Sequence, residues 1–133
     1  MPLPVTALYA GLLGLWVLYL AFAVIKQRRA HKVSIGSGGV KLLEEAMRAH
    51  GNAVETVPLA ILLLALSESL GTPALLLHLA GLGLLAGRVL HGYHFLNEQK
   101  EMKLRLYGMV LTVTVIAVLS VGLVGHGLAG ILS

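Results

Sequence analysis

From Leu3 to Ile25 the chain carries no charged residue, and three later stretches, about residues 40–70, 73–96 and 106–132, are rich in apolar residues. Each is at least as long as the ~20 residues that a helix needs to cross the hydrocarbon core of a bilayer. In that core only a structure that satisfies its own backbone survives, which for single segments means helix. The pattern therefore predicts an all-α integral membrane protein: a four-helix bundle in one domain over residues 1–133, with spans at about 3–25, 40–70, 73–96 and 106–132. Charged residues are 12% of the chain, against about 25% in soluble domains, so polar surface is too scarce to cover a water-soluble globule.

The breaks between spans have their own chemistry. Pro2 and Pro4 stand where a helix start has no use for their missing amide protons. The basic segment from Lys26 to Lys32 closes the first span, and Gly36-Ser37-Gly38-Gly39 forms a flexible joint. Pro58 is expected to kink the second span or free a carbonyl within it. Gly71-Thr72-Pro73 reads as a tight turn with Thr72 as N-cap and Pro73 at the first helical position, and Asn97 to Lys103 as a short charged loop. Ala21-Phe22-Ala23 has the look of a signal-peptide cleavage site, but no positive segment precedes it and the apolar run is too long, so an anchored helix is expected instead.

The formal net charge is +4. The basic residues flank apolar spans, which points to lipid headgroups or a small anionic ligand as partners and away from nucleic acid. The chain has no cysteine, which excludes disulfides, thiolate nucleophiles of its own and cysteine metal sites. No histidine pair has metal-binding spacing, so no metal is expected. Lys26, Arg28, Arg29, Lys32 and Lys41 lie between the first two spans, and Lys100, Lys103 and Arg105 between the last two. The positive-inside bias puts both connections in the cytoplasm and both termini on the other side. The compact loops point to a bacterial inner membrane.

Glu44, Arg48, Asn52 and Glu55 fall within about an 80° arc of one helical face. Ionisable groups at membrane depth are costly and turn towards a protein interior or a wet cavity. The face is either an ion-pair ladder that locks helices together or a socket: Arg48 to clamp a carboxylate, Asn52 to donate and accept, Glu55 to take an ammonium or amide. Arg88, His91 and Phe95 share a face of the third span, and Arg105 opens the fourth. His50 and His78 read as packing residues, and Gly83 with Gly87 as a small-residue pair that favours close helix contact.

The run from Glu44 to Thr56, with its pattern E-x-x-x-R-x-x-x-N-x-x-E, resembles the MAPEG family, the membrane-associated proteins in eicosanoid and glutathione metabolism. Arg28-Arg29-Ala30 before Val33-Ser34, Gly87-Arg88-Val89 with His91 one turn on, and Leu104-Arg105-Leu106 add matches in the right order along the chain. The resemblance implies a homotrimer that binds glutathione as co-substrate between neighbouring subunits near the cytoplasmic face. It assigns Glu44, Arg48, Asn52 and Glu55 to the tripeptide, with Arg88, His91, Phe95 and Arg28 or Arg29 completing the pocket from the adjoining subunit and Arg105 beside the thiol. Gly51, Phe95 and Leu106 depart from the eicosanoid-forming members, so a detoxifying transferase or peroxidase acting on lipophilic small molecules fits better. The rival reading is a non-catalytic scaffold of the same fold. A small four-helix exporter ranks last, because its expected acid in the first span is missing.

Overall fold

The computed structural model describes residues 2–97 and 101–132. It contains four helices: α1 (Pro4–His31), α2 (Lys41–Ser69), α3 (Ala74–Leu96) and α4 (Met102–Leu132). All four are long and apolar enough to cross a membrane. Lys100, counted above in the second basic connection, lies outside the described residues. Every pair of helices touches except α1 and α4.

The helices outrun the apolar stretches at the end that carries the basic connections. α1 continues through Lys26–His31 and α4 begins at Met102 instead of near residue 106. These segments are strong helix formers with no glycine or proline to stop them, and Arg28, Arg29 and His31 in the last turn of α1 suit the negative end of its dipole. α1 ends only where Lys32 turns left-handed at φ 55°, with the Val33 amide donating back to the Arg28 carbonyl at 3.1 Å. α2 runs through Pro58 as one helix.

The turn between α2 and α3 corrects one expectation. Thr72 makes no cap for α3; Pro73 occupies the N-cap, and the helix starts at Ala74. The Thr72 amide instead donates to the Ser67 carbonyl and the Gly71 amide to the Glu68 carbonyl, both at 3.1 Å. This pair of bonds closes α2 as a Schellman motif, which needs the left-handed φ of 83° that Gly71 supplies.

Three buried layers fill the bundle along its length. Val5, Tyr9, Leu64, Leu77 and Leu119 form the layer nearest the α2–α3 turn. Leu13, Val57, Ala60 and Leu84 fill the middle, and Leu20, Ala49 and Ala53 the layer nearest the basic connections, with Trp16, Phe95 and Leu96 against it. Outside, large apolar side chains such as Leu15, Leu75 and Val121 stand exposed, as expected of a lipid-facing surface.

Small residues set the helix spacing. A Cβ on Gly108 would lie 2.6 Å from the Gly87 carbonyl oxygen, so α3 and α4 cross backbone to backbone there. A Cβ on Gly81 would enter the ring of Tyr9, whose hydroxyl donates to the His78 carbonyl at 3.2 Å and meets His78 Nδ1 at 3.1 Å. His78 is thus a hydrogen-bonded packing residue.

Candidate functional site

The polar face of α2 starts at the basic end of the bundle, and the C-terminal turns of α3 and the first turns of α4 reach the same level. Between them lies a cleft of about 490 Å³. α2 supplies Glu44, Arg48, Asn52 and Glu55; α3 supplies His91 and Phe95; α4 supplies Arg105. Ser37, from the glycine joint, reaches the rim and its hydroxyl donates to Glu44 Oε1 at 3.2 Å. Arg48 and Glu55 are exposed in the cleft, and no side-chain hydrogen bond ties either to a described residue. Charged groups left open at this depth are available to a ligand.

Aromatic rings shape the α3 wall. Phe95 lies between His91 and His94, with ring centres 5.3 and 5.1 Å away. The Arg105 guanidinium carbon sits 5.5 Å from the Phe95 ring centre. The ring's negative face attracts the cation, and this holds Arg105 at the cleft without neutralising it. Met47 and Met109 add soft, adaptable walls.

Three arginines of the sequence reading do not line this cleft within one chain. Arg28 folds back over its own loop: its Nη1 donates to the carbonyls of Val33, Ser34 and Gly36 at 3.4, 3.3 and 2.9 Å. Arg29 is exposed beside it. Arg88 is buried, only 2% exposed, beneath the cleft floor. Its Nε donates to Thr112 Oγ1 at 2.8 Å, Nη1 to Asn52 Oδ1 and to Thr56 Oγ1, and Nη2 to the Gly108 carbonyl. The groups from α2 and from α3, which the resemblance placed on opposite sides of a subunit boundary, stand side by side here in a single chain.

Thr56 and Thr112 were missed in the sequence, although their spacing marks them. Thr56 is one turn beyond Asn52, and Thr112 shares a helical face with Arg105 and Gly108. Glu68 was also passed over. Its carboxylate accepts the Val5 and Thr6 amides at 3.0 and 2.7 Å and so caps the start of α1, where no side chain of α1 itself does so. An acid at the end of an apolar run was the available signal.

A larger cavity of about 600 Å³ lies at the opposite end, between the α2–α3 turn and the second half of α4. Its walls are mostly leucine, valine and alanine, and it holds none of the charged cluster. Chemistry, not size, selects the smaller cleft. No trio of histidine, aspartate and glutamate among the described residues is arranged to hold a metal ion.

A sequence model of the MAPEG family matches residues 6–125. The chain belongs to the MAPEG family. The match covers the whole polar face of α2, both charged connections and Arg105, so the cleft lies inside the family's common frame. Among curated MAPEG-like relatives, the Inner membrane protein YecN of Escherichia coli strain K12 is 43% identical over 108 residues, which is 81% of this chain and 81% of that protein. Its namesake from E. coli O6:H1 strain CFT073 shows the same identity and coverage.

Proposed function

We propose that this MAPEG protein is a glutathione-dependent membrane transferase or peroxidase that acts on lipophilic electrophiles by stabilising the glutathione thiolate. One observation carries the reading: Arg48, Asn52 and Glu55 converge with His91, Phe95 and Arg105 on one cleft. Its volume of about 490 Å³ falls within the roughly 300–1,000 Å³ of small-molecule sites. Glutathione offers two carboxylates, an ammonium, two peptide groups and a thiol. Arg48 suits a carboxylate, Glu55 the ammonium, and Asn52 a peptide group.

A thiol with a pKa of about 8.5 is only a few per cent ionised at neutral pH. A guanidinium beside the sulfur favours the anion, and more so where water is scarce. Arg105, held at the cleft by Phe95, is the group for that role. The thiolate attacks an electrophilic carbon that arrives from the bilayer; a C–S bond forms, and the leaving group departs with its electron pair. The protein contributes proximity, charge stabilisation and exclusion of water. The surrounding reading is a homotrimer in a bacterial inner membrane, with the basic connections in the cytoplasm.

Titration calorimetry of the purified protein in detergent tests this. Glutathione binds the wild type, and Arg48→Ala or Glu55→Ala weakens binding about tenfold or more, the loss of one charge-assisted hydrogen bond. A folded wild type that binds no glutathione hands the field to the scaffold reading. That second reading draws on Arg88, whose bonds tie α2, α3 and α4 together, which is the work of assembly.

A further inference from the structure

An amide side chain presents an acceptor and a donor, and its neighbours decide which of the two a ligand meets. At Asn52 the deciding neighbour is Arg88. A guanidinium carries donors only, so the group facing it must be Oδ1, and Arg88 Nη1 donates to that atom. Arg88 is in no position to release it. Thr56 Oγ1 at 3.2 Å, Thr112 Oγ1 at 2.8 Å and the Gly108 carbonyl at 3.4 Å hold the same guanidinium from two helices. Turning it away would strip a buried cation of its acceptors, which an apolar interior penalises heavily. The Thr56 hydroxyl is fixed in turn, donating to the Asn52 carbonyl at 2.8 Å. With Oδ1 committed to Arg88, what Asn52 offers the cleft it lines is its Nδ2 amide.

We infer that Arg88 is a positioning residue that makes the cleft specific for an acceptor at Asn52. It touches no ligand. It sets the carboxamide with its NH₂ towards the cleft, so that the cleft favours a ligand carboxylate or peptide carbonyl over a donor at that point. The choice of ligand rests on the glutathione reading; the Arg88–Asn52 linkage does not.

Asn52→Asp separates the two roles. It keeps an oxygen for Arg88 and replaces the outward NH₂ with a second acceptor. The melting temperature in detergent stays at or above the wild-type value, while glutathione affinity falls roughly ten- to a hundredfold. A purely structural Asn52 predicts no such split. Arg88→Met weakens glutathione binding in the wild-type background and adds no further loss in an Asn52→Ala background, because Arg88 acts through Asn52. Should Arg88→Met not fold, Arg88→Lys replaces it, since a lysine keeps the charge and loses the fork. The melting temperatures of Arg88→Met, Asn52→Ala and the double variant provide the ligand-free arm: they are non-additive. Wild-type affinity in Asn52→Asp, or additive melting shifts, overturns the proposal. Non-additive melting in a protein that binds no glutathione upholds the linkage and removes the glutathione reading alone.

Discussion

Arg105 and Arg88 are both arginines at the same end of the bundle, and their surroundings give them opposite duties. Arg88 has its donors engaged by hydroxyl, amide and carbonyl oxygens and is sealed from solvent. Arg105 is exposed, with an aromatic ring at 5.5 Å as its support. A ring attracts a cation without competing for its N–H donors in the way a carboxylate does, which leaves those of Arg105 available for the sulfur anion of the proposed reaction. Replacing Arg105 with alanine is expected to leave glutathione affinity within about twofold of wild type and to slow conjugation of a chlorodinitrobenzene probe about a hundredfold, the usual loss for one donor at a developing anion. Steady-state rates at saturating glutathione, set beside calorimetry, check both halves. Unchanged turnover would remove Arg105 from the chemistry.

At the scale of elements, two contacts hold helices together by means that hydrophobic pattern does not reveal. Glu68 ends α2 and caps α1, satisfying two backbone amides that would otherwise be open. Glu68→Gln keeps the shape and loses the negative charge at the positive end of α1; a loss of about 1 kcal/mol in thermal unfolding is expected. Gly108 meets Gly87 at the α3–α4 crossing, where an added Cβ would find backbone atoms at 2.6 and 2.7 Å. Gly108→Ala therefore forces the helices apart and costs about 1–3 kcal/mol, read as a lower melting temperature of the purified protein in detergent. The four helices were legible from length and hydropathy, because lipid leaves a spanning segment few alternatives. The polar face of α2 was legible from its 100° periodicity. What escaped was between helices. Nothing in the spacing of Arg88 tells whether it faces the cleft or the floor beneath it, since that depends on how closely Gly87 lets α4 approach and thereby where Thr112 stands. The expected cap at Thr72 failed similarly: it had the right side chain for a helix start, but its amide was drawn into closing the helix before, and Pro73 took the N-cap.

For the whole molecule, the open flank is informative. α1 and α4 do not touch, and α4 shows apolar side chains such as Val118, Val121 and Leu128 over much of its length. In the proposed trimer these faces meet neighbouring copies or lipid. Chemical cross-linking in membranes, followed by mass analysis of the detergent-extracted protein, is expected to give a ladder ending at three copies; a species that stops at one would remove the trimer. The acceptors of Arg88 carry one more consequence, for biosynthesis. Two of them, Asn52 and Thr56, precede it in the chain, and two, Gly108 and Thr112, follow it. When only the first three spans have been made, the guanidinium has half of its oxygen acceptors, and its set is complete only once the fourth span has followed.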